Sequence, residues 1–189
     1  KTFPSATSSA LVDVVNEAYT PEDPAGWLED LVKLLAPTVP SATFAEAHFS
    51  PGETCLRAIL GELGRARRTL DLCVFTITDD RITRAILDAH RREVAIRVLT
   101  DDDKAADLGS DIERLRQAGI AVRTDRTEHH MHHKFALTDG ERLLNGSFNW
   151  TRSASAHNEE NVVVTDDPRL VRAFTAQFEQ LWAPLGTMR

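Results

Sequence analysis

The chain has 189 residues, 42% of them hydrophobic, and carries 22 Lys and Arg against 29 Asp and Glu, a net charge of -7. That length and apolar content fit one core-forming domain with a short appendage, and no run of about 18 apolar residues exists, so no membrane span is expected. The acidic balance counts against extensive polyanion binding but leaves room for a local basic groove.

Residues 1–9 are rich in Pro, Ser and Thr and read as a frayed terminus. Ser9 can cap a helix over 10–19, with Leu11, Val14, Val15 and Ala18 at helical spacing. A second amphipathic helix follows around Trp27, Leu28, Leu31 and Leu35, ended by Pro37 and Pro40. This extension over 1–40 reads as packing, or as a docking or regulatory segment. Residues 43–49 alternate through Phe44, Ala45, Ala47 and Phe49 as a strand, and 53–68 form a helix with Leu56, Ile59, Leu60 and Leu63 inward. Its terminal Arg65, Arg67 and Arg68 suit the negative helix end. They read as a solvated face, with polyanion steering as the alternative. Residues 69–77 are nearly continuously apolar and β-rich, the mark of a buried central strand. A capped helix from Asp79–Asp80 and a second buried strand over 94–99 come next. Asp101, Asp102 and Asp103 read as a solvated turn rather than a metal site. A short helix around Ile112 and Leu115 and an edge strand at Ile120 and Val122 precede the densest stretch. Cys55 and Cys73, the only cysteines, sit in apolar settings and read as buried free thiols.

That stretch is HHMHHKFALTDGERLLNGSFNWTRSASAHNEEN, residues 129–161. KFALT closed by Asp139-Gly140 is a strand running into a turn, and 142–145 can return as its hairpin partner. A strand sends residues i and i+2 to one face, so His132 and Lys134 project together from its start, and Ser147 and Asn149 together after the hairpin. Val162–Val164 make a third strand with Glu160 at its entry. The strand ends thus gather an imidazole, an ammonium, a hydroxyl, an amide and a carboxylate. A phosphodiester needs that set: Lys and amide donors for its oxygens, and a near-neutral imidazole as nucleophile or acid/base. His129, His130 and His133 could mimic a zinc site, but no nearby acid or thiol is expected to complete a shell. His157 reads as an ordinary loop histidine. Trp150 reads as packing, with base stacking as the alternative. The last helix, through Leu170, Val171, Phe174, Phe178, Leu181 and Trp182, reads as core cover. Strand–helix alternation followed by strands predicts an α/β domain over 41–189, a mixed β-sheet flanked by helices on both faces.

HxKxxxxD, then GSxN, then a later Glu-Asn resembles the signature of the phospholipase D superfamily. It is most similar to the single-motif branch, the bacterial Nuc-type and mitochondrial Zucchini-type nucleases, over roughly residues 43–182. The resemblance implies a two-step reaction that uses no metal or other cofactor. One histidine forms a phosphohistidine, and a second protonates the leaving group and then activates water. With a single motif, the second histidine must come from another copy, so the resemblance implies a homodimer in which His132 plays both parts. Lys134 and Asn149 would hold phosphate oxygens with support from Ser147, and Glu160 would hydrogen-bond the imidazole. Asp139 would anchor the hairpin. An endonuclease acting on DNA or RNA is the first expectation, a lipid phosphodiesterase of the cardiolipin type the alternative, and a non-catalytic scaffold the third. A bacterial cytoplasmic location is expected, with periplasm or secretion left open because the chain begins at Lys1.

Overall fold

The computed structural model describes residues 44–186, together with Gly26 and Leu28, which are both helical. The helices expected over 10–19 and around 27–35 otherwise lie outside the described residues. Chain contacts separate Lys1–Val39 from Pro40–Arg189, and the fold below belongs to the second unit.

Seven strands form one sheet: β1 (Ala45–Phe49), β2 (Thr69–Val74), β3 (Ala95–Thr100), β4 (Ala121–Thr124), β5 (Lys134–Thr138), β6 (Arg142–Gly146) and β7 (Asn161–Thr165). Their order is β1-β7-β6-β5-β2-β3-β4. β2, β3 and β4 run parallel, and every other pairing is antiparallel. Parallel neighbours need crossover connections, here supplied by α2 (Asp80–Arg91) between β2 and β3, and by α3 (Asp102–Ala106) and α4 (Ile112–Gln117) between β3 and β4. Helices α1 (Thr54–Arg65), α5 (Arg152–Ala156) and α6 (Pro168–Trp182) complete the set.

The period of two divides the core. Leu70, Leu72 and Val74 of β2 join Ala136, Leu144, Val162 and Val164 under Leu56, Ile59 and Leu63 of α1 and Ile82 and Ile86 of α2. Cys73, Phe135, Leu137 and Leu143 point the other way, under Val171, Phe178 and Trp182 of α6. This accounts for the continuous apolar run of β2, which is covered on both sides. α6 starts cleanly because Asp167 accepts the Arg169 N–H at 2.9 Å and Pro168 occupies the first turn, where a missing N–H costs nothing. Arg97 lies over the Phe178 ring and bridges Asp71 and Glu179, fixing α6 to β2 and β3. Leu170 remains exposed, so the inward stripe of α6 begins at Val171.

The strand expected over 43–49 is β1, an edge strand with Ala45, Ala47 and Phe49 exposed. One further expectation is corrected: Asp101 is buried, and its side chain caps α3 by accepting the Lys104 N–H, so this aspartate is no solvated turn. Trp150 is buried, as its packing reading requires, and its carbonyl receives the N–H groups of Thr78 and Asp79, which removes the alternative of base stacking. Cys55 and Cys73 are buried free thiols; burial pushes Cys73 up to about 12.

The alternating directions bring the C-terminal ends of β1, β2, β3 and β6 and the N-terminal ends of β5 and β7 to one end of the sheet. Every candidate site residue except Asp139 is delivered there.

Candidate active site

His132 precedes β5 and is exposed at this end. Its ring meets Phe75, the residue after β2, edge-on at 4.5 Å. Two residues on, Lys134 is only 6% exposed, with its Nζ 5.1 Å from the same Phe75 ring. Among the described residues, the one hydrogen bond of this ammonium goes to the His132 carbonyl at 2.7 Å, and no carboxylate forms an ion pair with it. Burial lowers the Lys134 pKa, and Glu160 opposes that shift. A buried cation with unused donors is a receptor for an anion. Partial burial, Lys134 and His130 hold the His132 imidazole below its ordinary range, against Asp101 and Glu160. The shift favours the neutral ring.

β6 and β7 supply the other flank. Ser147 Oγ accepts the Asn161 N–H at 3.1 Å, and the Ser147 N–H returns to the Asn161 carbonyl at 3.1 Å. Ser147 thus locks the entry of β7. Gly146 makes this possible, since a Cβ there would lie 2.0 Å from the Asn161 carbonyl oxygen. Asn149 is half-buried, and its Oδ1 is buried without a hydrogen-bond partner among the described residues. Glu160 is half-buried too. Its carboxylate accepts from Asn158 at 3.0 Å rather than from His132, and reaches the imidazole through charge alone. Ser50 staples the segment: its hydroxyl donates to the Asn158 carbonyl and accepts the Glu160 N–H.

Asp139 stands apart. It lies at the far end of β5, seven residues and about 23 Å of extended chain from His132, with a left-handed φ of 56°. Its carboxylate collects the N–H groups of Arg67, Arg68 and Thr69 at 2.7–3.2 Å. Burial alone would raise its pKa, but those three bonds win and lower it. The last residue of the motif therefore pins the α1–β2 corner to the β5–β6 hairpin. Arg68 also pairs with Glu141, which engages part of the arginine cluster that sequence left open to polyanions.

The β3 side holds residues that sequence reading missed. His130 Nδ1 lies 2.9 Å from Asp101 Oδ2, and its ring meets the Phe75 edge at 5.4 Å. Asp101, Asp103 and His130 offer ligand atoms within 4.8 Å of one another, so the two metal readings of the sequence converge here. Both Asp101 oxygens are already engaged, however, by the Lys104 and Met131 N–H groups and by His130. An Asp three residues before Lys104 at a strand end is a capping pattern, and was the available signal. His133 points to the opposite face against Phe135, as alternation requires, although exposed. His129 and His157 are exposed loop residues.

Residues 59–182 match the family described as "Cardiolipin synthase, PLD-like domain". The chain belongs to the phospholipase D-like family. It is 54% identical over 134 residues to a mitochondrial cardiolipin hydrolase of Chlamydomonas reinhardtii, covering 71% of this chain and 60% of that one. It is 46% identical over 131 residues to the human protein of the same name, covering 69% and 52%. The chain therefore spans about half to three fifths of these relatives' length. The fold matches Nuc of Salmonella typhimurium, a phospholipase D family member, with a TM-score of 0.69, 24% identity and coverage of 74% and 94%. It matches NucT of Helicobacter pylori with a TM-score of 0.67, 20% identity and coverage of 73% and 94%. The expected bacterial cytoplasmic location is overturned, because the relatives at 44–54% identity are eukaryotic proteins named as mitochondrial. Among the described residues no helix is long and apolar enough to cross a membrane.

Proposed function

We propose that the chain hydrolyses phosphodiesters by double displacement, with nucleic acid as substrate. The observation that carries this reading is the pairing of an exposed imidazole with a buried ammonium that lacks a carboxylate partner among the described residues, His132 beside Lys134. A His132 ring nitrogen attacks phosphorus, the bond to the leaving oxygen breaks, and a phosphohistidine forms. A second imidazole gives its proton to that oxygen, then takes one from the water that attacks phosphorus and releases His132. Lys134 neutralises the phosphoryl oxygens, and Asn149, aimed from the β6 side, orients them. The second imidazole is His132 of another copy, which makes the active species a homodimer. Asp139 takes no part in chemistry. The rim around His132 is polar, with Ser147, Asn158, Glu160 and His130, and suits a hydrated polyanion backbone.

Cardiolipin is the second reading, favoured by the names of the relatives. Its phosphodiesters present the same oxygens at a membrane surface, and a mitochondrial location fits either substrate.

The test is cleavage of labelled single- and double-stranded DNA, RNA and cardiolipin vesicles in excess EDTA, with His132→Ala alongside. Nucleic-acid cleavage that survives EDTA and is lost with His132 is the expected result. Turnover of cardiolipin alone would install the second reading, and activity retained in His132→Ala would defeat both.

A further inference from the structure

β2 ends at Val74, and the chain bends at Phe75 beside the start of β5. The Phe75 N–H donates to the His133 carbonyl at 2.9 Å, which continues the β2–β5 pairing one residue past Val74 and Lys134. Its own carbonyl accepts the hydroxyl of Thr100 at 3.2 Å, from the buried end of β3. The half-buried ring is thus hung by its main chain between β5 and β3. Four side chains at the active-site end meet it. The His132 ring lies 4.5 Å away and the His130 ring 5.4 Å away, both edge-on. Lys134 Nζ lies 5.1 Å from its centroid and Lys104 Nζ 5.9 Å.

The contact with Lys134 matters most. A buried ammonium costs free energy unless something stabilises its charge. Among the described residues no carboxylate forms an ion pair with Lys134, and its one hydrogen bond goes to the His132 carbonyl. The titratable groups that face it are the imidazoles of His132 and His133 and, from the entry of β7, the Glu160 carboxylate, which acts through charge alone. An aromatic face within about 6 Å attracts a cation through its quadrupole and takes up none of its N–H groups. A lysine has three such donors. One is used here, so the others stay open to an arriving phosphoryl oxygen. A carboxylate in the same place would hold the ammonium too, but it would cancel the charge and occupy the donors.

We propose that Phe75 is a positioning residue for the reaction, its ring standing in for the counter-ion of Lys134 and fixing the His132 imidazole beside it. The inference rests on the reading above, in which His132 attacks phosphorus and Lys134 takes the phosphoryl oxygens. It adds the reason that a buried cation is tolerated there with its donors free. Both contacts are made to one rigid ring, so nucleophile and cation keep their separation as substrate enters. Phe75 acts through these two groups.

The test uses the full chain with Phe75→Leu, Phe75→Tyr and, as a third variant, pentafluorophenylalanine in place of Phe75. The fluorinated ring keeps the shape and apolar body of phenylalanine but reverses the charge of its face. Two quantities are measured: turnover of the nucleic acid that the wild type cleaves in excess EDTA, and the NMR titration of the Lys134 ammonium. Phe75→Leu and the fluorinated ring should each lower kcat about tenfold, the rate equivalent of one desolvated cation–π contact, with KM little changed. In both, Lys134 should lose its proton at a lower pH than in the wild type. Phe75→Tyr should keep most of the activity and the wild-type titration. A fluorinated chain that is fully active and titrates as the wild type makes the ring a packing group and overturns the proposal, even where Phe75→Leu is impaired. Full activity with an unchanged titration in Phe75→Leu overturns it as well. If Phe75→Leu is unfolded by circular dichroism, the fluorinated chain decides alone. If the wild type cleaves nothing, the phosphodiesterase reading falls and the Lys134 titration decides: a lower midpoint in the fluorinated chain upholds the contact, and an unchanged one overturns it.

Discussion

His130 Nδ1 lies 2.9 Å from Oδ2 of Asp101, a carboxylate that is 1% exposed. The same oxygen takes the Met131 N–H, and Oδ1 takes the Lys104 N–H at the start of α3. One buried carboxylate therefore suspends the segment that presents His132. Asp101→Ala removes a helix cap and strands a buried N–H, which together should cost about 2–4 kcal/mol. His130→Ala removes only the exposed end of the pair and should cost under about 1 kcal/mol. Urea denaturation should show a lower midpoint at constant slope for Asp101→Ala. Equal losses in the two variants would contradict this division.

The pH response of His132 follows from its neighbours. Partial burial, Lys134 and His130 lower its pKa from 6.5, while Asp101 and Glu160 raise it. Since the neutral ring reacts, activity should fall on acidification only below the ordinary imidazole range. His130→Ala removes a lowering charge and should move the His132 midpoint up. Glu160→Gln removes a raising charge and should move it down. NMR titration of the His132 ring checks both signs, and shifts in one common direction would refute the electrostatic picture.

Much of this site was legible because strand geometry is local. The i, i+2 rule delivers His132 with Lys134 without knowledge of the rest of the chain. The continuous apolar run of β2 likewise announced a strand covered on both faces. What sequence could not supply were contacts between strand ends far apart in the chain. Phe75 touches both His130 and His132 across more than fifty residues. Asp101 looks like one of three solvated acids until β3 carries it beneath His130. The apolar alternation of β1 was correctly seen as a strand, but alternation does not say which face the core will take. For Glu160, family resemblance led to a bond with the imidazole, whereas the carboxylate bonds Asn158.

Asp139 should prove structural. Its carboxylate receives three backbone N–H groups, so Asp139→Asn should cost about 2 kcal/mol and leave turnover of the folded protein nearly unchanged. Because its folded pKa is depressed, this stabilisation is fully present above the unfolded carboxylate value. It is lost as pH falls through the lower folded value. The stability gap between wild type and variant should therefore narrow on acidification. A gap that widens at low pH, or a large loss of kcat, would be incompatible with an anchoring role.

Gly146 is required by space rather than by backbone angle. A Cβ there would meet the carbonyl oxygen of Asn161 at 2.0 Å and its carbonyl carbon at 2.8 Å, both main-chain atoms that no rotamer can relieve. Gly146→Ala must separate β6 from β7 and break the Ser147–Asn161 lock. It should destabilise by about 3 kcal/mol or more, in the range of severe overpacking. Thermal unfolding checks this, and a near-native melting temperature would mean that the strands separate more easily than the register implies.

Asn149 should separate stability from activity. Its Oδ1 is buried with no partner among the described residues, an arrangement that costs a folded chain about 1–3 kcal/mol. On the reading proposed above, that group serves a phosphoryl oxygen that arrives later beside Lys134. Whether oxygen or nitrogen of the amide faces the site is a matter of its rotation, and an arriving anion selects the donor. Asn149→Ala relieves the unmet acceptor while leaving a small cavity, two effects of similar size and opposite sign. Its melting temperature should therefore equal or exceed that of the wild type. Its kcat/KM should fall by about 100- to 1,000-fold, as when one preorganised donor is removed from a reacting oxyanion. Calorimetry and steady-state kinetics on the same preparation test both halves. A marked loss of stability with activity retained would make Asn149 a packing residue and leave Lys134 as the sole protein group on the phosphate.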